Sequence, residues 1–127
     1  MTNRHDAVAV AMLLIIAASL SHAQPSPPPQ QPSPSPPPPI PPAGVQVRQT
    51  SKGIVVQWGK SLQPEILGYH VSRAGVGKAR ERIATRVAGT EFLDPVPVKG
   101  KLYRYTVTAV SKDRGESLPS EEVTVRR

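Results

Sequence analysis

Residues 44–127 are predicted to form an all-β domain, a seven-stranded antiparallel sandwich preceded by a disordered proline-rich linker. Three observations predict it. After Gly44, apolar and polar side chains alternate with period two in short runs. Clusters of Gly, Pro, Asp and Ser separate those runs. No run carries an apolar stripe at the helical spacing of about 3.6 residues over a useful length. Short alternating runs with turn signals between them are the pattern of two packed sheets.

The strands follow in order. Val45 and Val47 mark the first. Ile54, Val56 and Trp58 alternate with Val55 and Gln57 in the second, and Leu67, Tyr69 and Val71 alternate with Gly68, His70 and Ser72 in the third. In the fourth, Glu81, Ile83, Thr85 and Val87 alternate with Arg80, Arg82, Ala84 and Arg86. Phe92 lies in a short fifth strand that ends at Asp94-Pro95. Tyr103, Tyr105, Val107 and Ala109 alternate with Arg104, Thr106 and Thr108 in the sixth, and Val123 and Val125 alternate with Thr124 and Arg126 in the seventh. Breakers stand at Ser51-Lys52-Gly53, Gln63-Pro64, Gly75 to Gly77, Pro95 to Gly100 and Asp113-Arg114-Gly115. On this alternation Trp58, Tyr69, Val71, Tyr103, Tyr105 and Val107 are the structural core.

Residues 1–23 read as a signal peptide for export. Arg4 supplies a positive start, Ala7 to Leu20 is an uncharged apolar run, and Ser21-His22-Ala23 places small residues at a cleavage site. The run is shorter than the ~20 residues needed to span a bilayer. Cleavage is expected after Ala23, leaving Gln24 first, with the mature protein secreted or periplasmic. An uncut signal would instead tether it to the membrane. Residues 24–43 hold twelve of the sixteen prolines. Proline fixes φ and removes the backbone donor, so neither helix nor sheet forms, and the segment is expected as an extended polyproline II spacer. At about 3.1 Å per residue it reaches roughly 60 Å. A role as ligand for a proline-binding partner is the alternative, disfavoured because such partners are mostly intracellular.

Charge is confined to the domain. The chain carries 16 basic and 9 acidic residues, a net +7; Arg4 and Asp6 cancel and residues 24–43 are uncharged. Such a surface attracts anions, whether acidic glycans, anionic headgroups, nucleic acid or acidic proteins; its plain alternative is solubility. There is no cysteine, hence no disulfide, no thiolate metal site and no lipidated N-terminal cysteine.

These residues together resemble a fibronectin type III domain of the divergent kind found in bacterial exported proteins. The resemblance runs from about Pro41 to Arg127. It rests on Pro42 before the first strand, Trp58 ending the second, Gly68-Tyr69-x-Val71, Phe92-Leu93-Asp94, Tyr103-x-Tyr105-x-Val107-x-Ala109-Val110, and Gly115-Glu116-Ser117-x-Pro119-Ser120 before Val123-x-Val125. It implies an immunoglobulin-like sandwich with Trp58 packed between the sheets and the Tyr103 hydroxyl bonding back to nearby backbone. Two departures stand out. Asp113-Arg114-Gly115-Glu116 has Glu where adhesive members carry Asp, so integrin binding does not carry over. The family occurs mostly in tandem, and here one copy is present.

The resemblance also implies which strands share a sheet, and so where a partner docks. The third, sixth and seventh strands form one sheet with the fourth near its edge. Its outer face then gathers His70, Ser72, Arg80, Arg82, Arg86, Arg104, Thr106, Thr108 and Arg126, with Lys78 in the adjoining turn and Glu122 opposing. Arg80, Arg82, Arg86, Arg104, Lys78 and Arg126 are therefore the candidate binding residues, for an anionic polymer or an acidic protein of the cell envelope. Arginine suits bidentate carboxylate or phosphate contacts. The face lacks aromatics, which argues against stacking on nucleic-acid bases or sugar rings. A passive spacer or enzyme-accessory role is the alternative.

No catalytic residue is expected. His70 is the one histidine after residue 44 and is expected to face solvent; Ser72 shares its face without an acidic orienter. Gly75-Val76-Gly77-Lys78 lacks the spacing and helix of a phosphate loop and reads as a hairpin turn. Glu121 and Glu122 are adjacent and point to opposite faces. A monomer without metal, cofactor or small-molecule substrate is expected.

Overall fold

Pairing of the alternating runs is possible only from Gly44 onward, because the prolines before it cannot donate to a ladder. The structure, a computed structural model, describes residues 21–127; Arg4 and the apolar run Ala7–Leu20, on which the export reading rests, lie outside the described residues. The chain divides into two units after Ser33. Residues 21–33 are exposed and carry no regular secondary structure. Among the described residues no helix is long and apolar enough to cross a membrane.

The second part carries eight strands: β1 (Gln46–Thr50), β2 (Gly53–Gln57), β3 (Ile66–Gly75), β4 (Glu81–Val87), β5 (Glu91–Asp94), β6 (Leu102–Ser111), β7 (Gly115–Glu116) and β8 (Val123–Arg126). β1, β2 and β5 form the smaller sheet; β4, β3 and β6 form the larger, with β7 and β8 both lying along β6. All pairs are antiparallel. Ile54, Val56 and Trp58 meet Tyr69, Val71, Tyr105, Val107 and Ala109 in one buried cluster. The Trp58 ring is tilted against Tyr69 with centroids 5.5 Å apart. Burial of this cluster is what holds two otherwise marginal sheets together.

Strict alternation fails at three places, each with a local cause. The expected seventh strand is two pieces, β7 and β8, because Pro119 lacks an N–H. Ser117 and Ser120 bridge the gap. Their amides donate to the Ala109 and Val107 carbonyls at 2.8 and 2.9 Å, and their hydroxyls accept from the Ala109 and Val107 amides at 2.8 and 2.9 Å, respectively. β3 slips register between Ile66 and Gly68. Ile66 therefore packs on the core, while Leu67, expected inside, is 45% exposed. Gly68 is required there: its φ is +157°, and a Cβ would lie 3.0 Å from the Arg86 and Val87 backbone.

β4 is the third exception. Tyr69 pairs Val87 and Val71 pairs Ala84, while Ser72 pairs Arg82, so β4 spends two more residues than β3 over this stretch. Ile83 and Ala84 both pack on the core as a result. Ala84 was expected on the outer face with the arginines, and the bulge turns it inward opposite Val71. Arg86 sits in the left-handed region at φ 54°, an uncommon state for a non-glycine residue.

The domain has two unlike poles. The first is where the proline-rich segment arrives: Pro39 and Pro42 are buried, the Gly59 amide donates to the Ala43 carbonyl at 2.8 Å, and the Ile40 amide donates to Gln63 Oε1 at 2.7 Å. The Ser111–Gly115 turn lies at this pole, its Lys112 amide donating to the Glu65 carbonyl. Opposite it lie the β1–β2 turn, the Gly75–Ala79 turn, the Pro95–Lys101 loop and the end of β8, where the Arg127 amide donates to the Lys101 carbonyl.

Candidate binding face

The outer face of the larger sheet collects side chains from β3, β4, β6, β7 and β8. His70, Ser72 and Ala74 on β3 stand opposite Thr108, Thr106 and Arg104 on β6, and Arg104 stands opposite Thr124 on β8. Over this floor the arginines are laid in a lattice of ion pairs. Arg80 donates to Thr106 Oγ1 at 3.0 Å and to Glu122. Arg104 approaches the same Glu122 at 3.5 Å. Arg82 donates to both oxygens of Glu116 at 2.7 and 2.9 Å. Arg126 donates to the Gly100 carbonyl at 2.8 Å. Arg86 and Lys78 are exposed and enter no ion pair among the described residues.

Two sequence expectations change here. Glu122 does not oppose the arginines alone: Glu116 joins it, because β7 folds back along β6 opposite Val110 and brings that carboxylate over Thr108 and Arg82. His70 is not solvent-facing; it is 7% exposed, and its Nδ1 accepts from the Arg86 amide at 3.1 Å. Burial, reinforced by Arg82, holds its pKa below the ordinary value. It is a neutral acceptor that stabilises the unusual Arg86 backbone. Burial would raise the Glu116 carboxyl, but hydrogen bonds from Thr108 and Arg82 outweigh it and hold that pKa low.

A second ionic cluster, not foreseen from the sequence, lies between the sheets near the pole opposite the proline-rich segment. Asp94 is 2% exposed. Its two oxygens accept from Arg73 Nη1, each at 2.9 Å, and Oδ2 also accepts from the Tyr105 hydroxyl at 2.7 Å. Arg73 donates from Nη2 to Glu81 at 2.5 Å and lies over the Tyr103 ring, 6.0 Å from its centroid. Burial, with Asp94 beside it, raises the Tyr105 pKa. Every polar group of this cluster is paired, so it holds the sheets in register rather than presenting a reactive site. Among the described residues no group of three His, Asp or Glu side chains could hold a metal.

The sandwich has counterparts among solved structures. A Fn3-like protein from Clostridium thermocellum is 30% identical, with a TM-score of 0.60 over 69% of this chain and 92% of that one.

The folded domain is fibronectin type III-like.

Contactin supplies a more distant counterpart: the chicken CNTN1 FN1-FN3 domains match 70% of this chain and 32% of that one, with a TM-score of 0.60 at 20% identity, a likeness of fold. Pectate lyase PelI from Erwinia chrysanthemi, solved in complex with tetragalacturonic acid, is 26% identical over 64% of this chain, but the match spans only 27% of that enzyme, with a TM-score of 0.56. No family model matches the chain. In this Fn3-like domain the Tyr103 hydroxyl accepts from the Val98 amide at 2.9 Å, closing the corner before β6. Glu116, the acid of the Asp113-Arg114-Gly115-Glu116 segment, is engaged by Arg82 and Thr108.

Proposed function

We propose that the protein is an exported, non-catalytic interaction module, a divergent bacterial-type Fn3-like domain carried on a proline-rich stalk. Its outer arginine face docks an anionic partner, a polymer of the cell envelope or an acidic protein. The observation that supports this is a charge excess in one place: Arg80, Arg82 and Arg104 on the outer face, with Arg86 close to His70, have only Glu116 and Glu122 paired against them among the described residues. The pairs are partly exposed, so an incoming carboxylate or phosphate exchanges for a glutamate at small cost. The cleaved signal, with Gln24 first, places the module in the periplasm or outside the cell.

The test is chromatography of the chain on heparin or a phosphorylated polymer across a salt series, with R80S/R82S/R86S/R104S alongside. A shallower salt dependence in the variant supports the reading; an unchanged slope rejects it. One observation favours a second reading, a passive accessory domain: the fold matches a small part of two enzymes, 27% of the pectate lyase above and 12% of a β-1,2-glucanase from Parabacteroides distasonis. The arginines would then serve the ion-pair lattice alone, and the salt slope would not move.

A further inference from the structure

The pole opposite the proline-rich segment has a different chemistry from the sheet face. Three of its aliphatic side chains are exposed: Val76 at 73%, Val96 at 66% and Val98 at 55%. They belong to two neighbouring loops, Gly75–Ala79 and Pro95–Lys101. The loops enclose a hollow of about 510 Å³ lined by Val76, Val98, Leu102 and Tyr103, with Lys78, Lys101 and Arg126 around it. A second hollow beside it adds Val96 and shares Val98 and Lys78. Neither loop contains an acidic residue. The two nearby carboxylates, Asp94 and Glu81, are both taken by Arg73. Lys78, Lys99 and Lys101 enter no ion pair among the described residues.

We infer that this pole docks onto an anionic lipid bilayer, Val76, Val96 and Val98 entering the interface while Lys78, Lys99 and Lys101 meet acidic headgroups. Three considerations select the bilayer. A soluble polyanion makes no use of exposed valines. A protein interface is built on Trp, Tyr and Arg anchors and is depleted in Lys, the reverse of what the loops offer. Lysine stems lie along an apolar boundary while their heads stay in the polar layer, so a valine tip ringed by lysines matches a surface that is greasy within and anionic outside. Each lysine near an anionic leaflet strengthens association roughly fivefold. Lys78 and Arg126, grouped with the arginine face on sequence alone, line this hollow; the valines, Lys99 and Lys101 belong to loops that supply none of Arg80, Arg82, Arg86 and Arg104, so the inference stands or falls independently of that face.

The test uses a chain beginning at Gln24, so that the apolar run Ala7–Leu20 does not bind lipid itself. Every core residue and every residue packed on the core lies between Val45 and Val125, so this chain keeps the whole core. Co-sedimentation is measured with vesicles of phosphatidylcholine alone and of phosphatidylcholine with phosphatidylglycerol. Three variants accompany the parent: V76S/V96S/V98S, K78Q/K99Q/K101Q, and the sheet-face variant R80S/R82S/R86S/R104S. All sites are exposed, and tryptophan emission checks that each variant is folded. The expected result is binding to the phosphatidylglycerol vesicles only, weakened about tenfold by the valine variant and about a hundredfold by the lysine variant. The sheet-face variant should stay within about twofold of the parent. No binding to either vesicle overturns the inference. So does binding that the valine variant leaves intact, which would mean simple charge attraction, or binding lost only in the sheet-face variant, which would move the effect to the arginine face.

Discussion

Arg73 and Arg82 lie on neighbouring strands, and each meets a carboxylate at hydrogen-bonding distance, Asp94 at 2.9 Å and Glu116 at 2.7 Å. The chemistry is the same and the surroundings are opposite. The Arg73 and Asp94 side chains are 12% and 3% exposed; those of Arg82 and Glu116 are 45% and 36%. Removing one partner of the first pair strands a charge where water cannot reach it. Removing one partner of the second returns the other to water. The interior pair is therefore part of the scaffold, and the surface pair is free to be exchanged for a ligand.

Breaking the interior cluster should have the largest effect. Asp94→Ala leaves Arg73 and the Tyr105 hydroxyl without their shared acceptor and should cost about 3–5 kcal/mol, as much as excavating the Trp58 indole with Trp58→Ala. Small domains hold only about 5–15 kcal/mol. Urea unfolding followed by tryptophan emission checks the first; loss of the native circular dichroism signal checks the second. If Asp94→Ala unfolded like a surface variant, the contrast between the two pairs would collapse.

Ser120→Ala should come next. It removes the hydroxyl that accepts from the buried Val107 amide and should cost about 1–3 kcal/mol. Hydrogen exchange at the Val107 amide should rise in step, localising the loss to the gap between β7 and β8.

Acid should loosen the outer-face cluster. The His70 pKa is lowered by burial, so below its ordinary value of 6.5 the unfolded chain binds more protons than the folded one. Stability is complete above that value and falls as pH drops through it. Glu116, held below its ordinary 4.5, adds a second loss as pH falls past that point. The urea midpoint should therefore decline on acidification, and His70→Asn, whose carbonyl can still accept from the Arg86 amide, should flatten the upper part of the decline. The smallest effect is expected from Arg82→Ser, about 0.2–1 kcal/mol by denaturant titration and less in high salt. A larger loss would mean that the arginine face is structural and unavailable to a partner.

Much of the architecture was legible because β-strands advertise themselves two residues at a time. Ile54, Val56, Trp58 and Tyr103, Tyr105, Val107, Ala109 read directly as core, and Pro95 to Gly100 and Asp113-Arg114-Gly115 read as punctuation. Alternation fails wherever a strand gains a residue. Leu67, Ala84 and His70 were each expected on the face they do not occupy, or with an exposure they do not have. For Leu67 and Ala84 the slip of β3 and the bulges of β4 reset the inside–outside count. His70 does lie on the outer side, but the strands around it cover it. Glu116 could have been placed by pairing Gly115-Glu116 with Val110-Ser111 across their short turn. The Asp94–Arg73–Tyr105 cluster could not, since 32 residues of chain separate its outermost members.

What the chain determined by itself is local: where strands start and stop, which side chains are apolar, where proline forbids pairing, and that all net charge falls after residue 44. What required tertiary structure is which charges meet. Whether an arginine is locked in the interior, balanced by a glutamate on the surface or held by a backbone carbonyl depends on register and sheet order. Those are set by long-range packing of side chains that carry no charge at all.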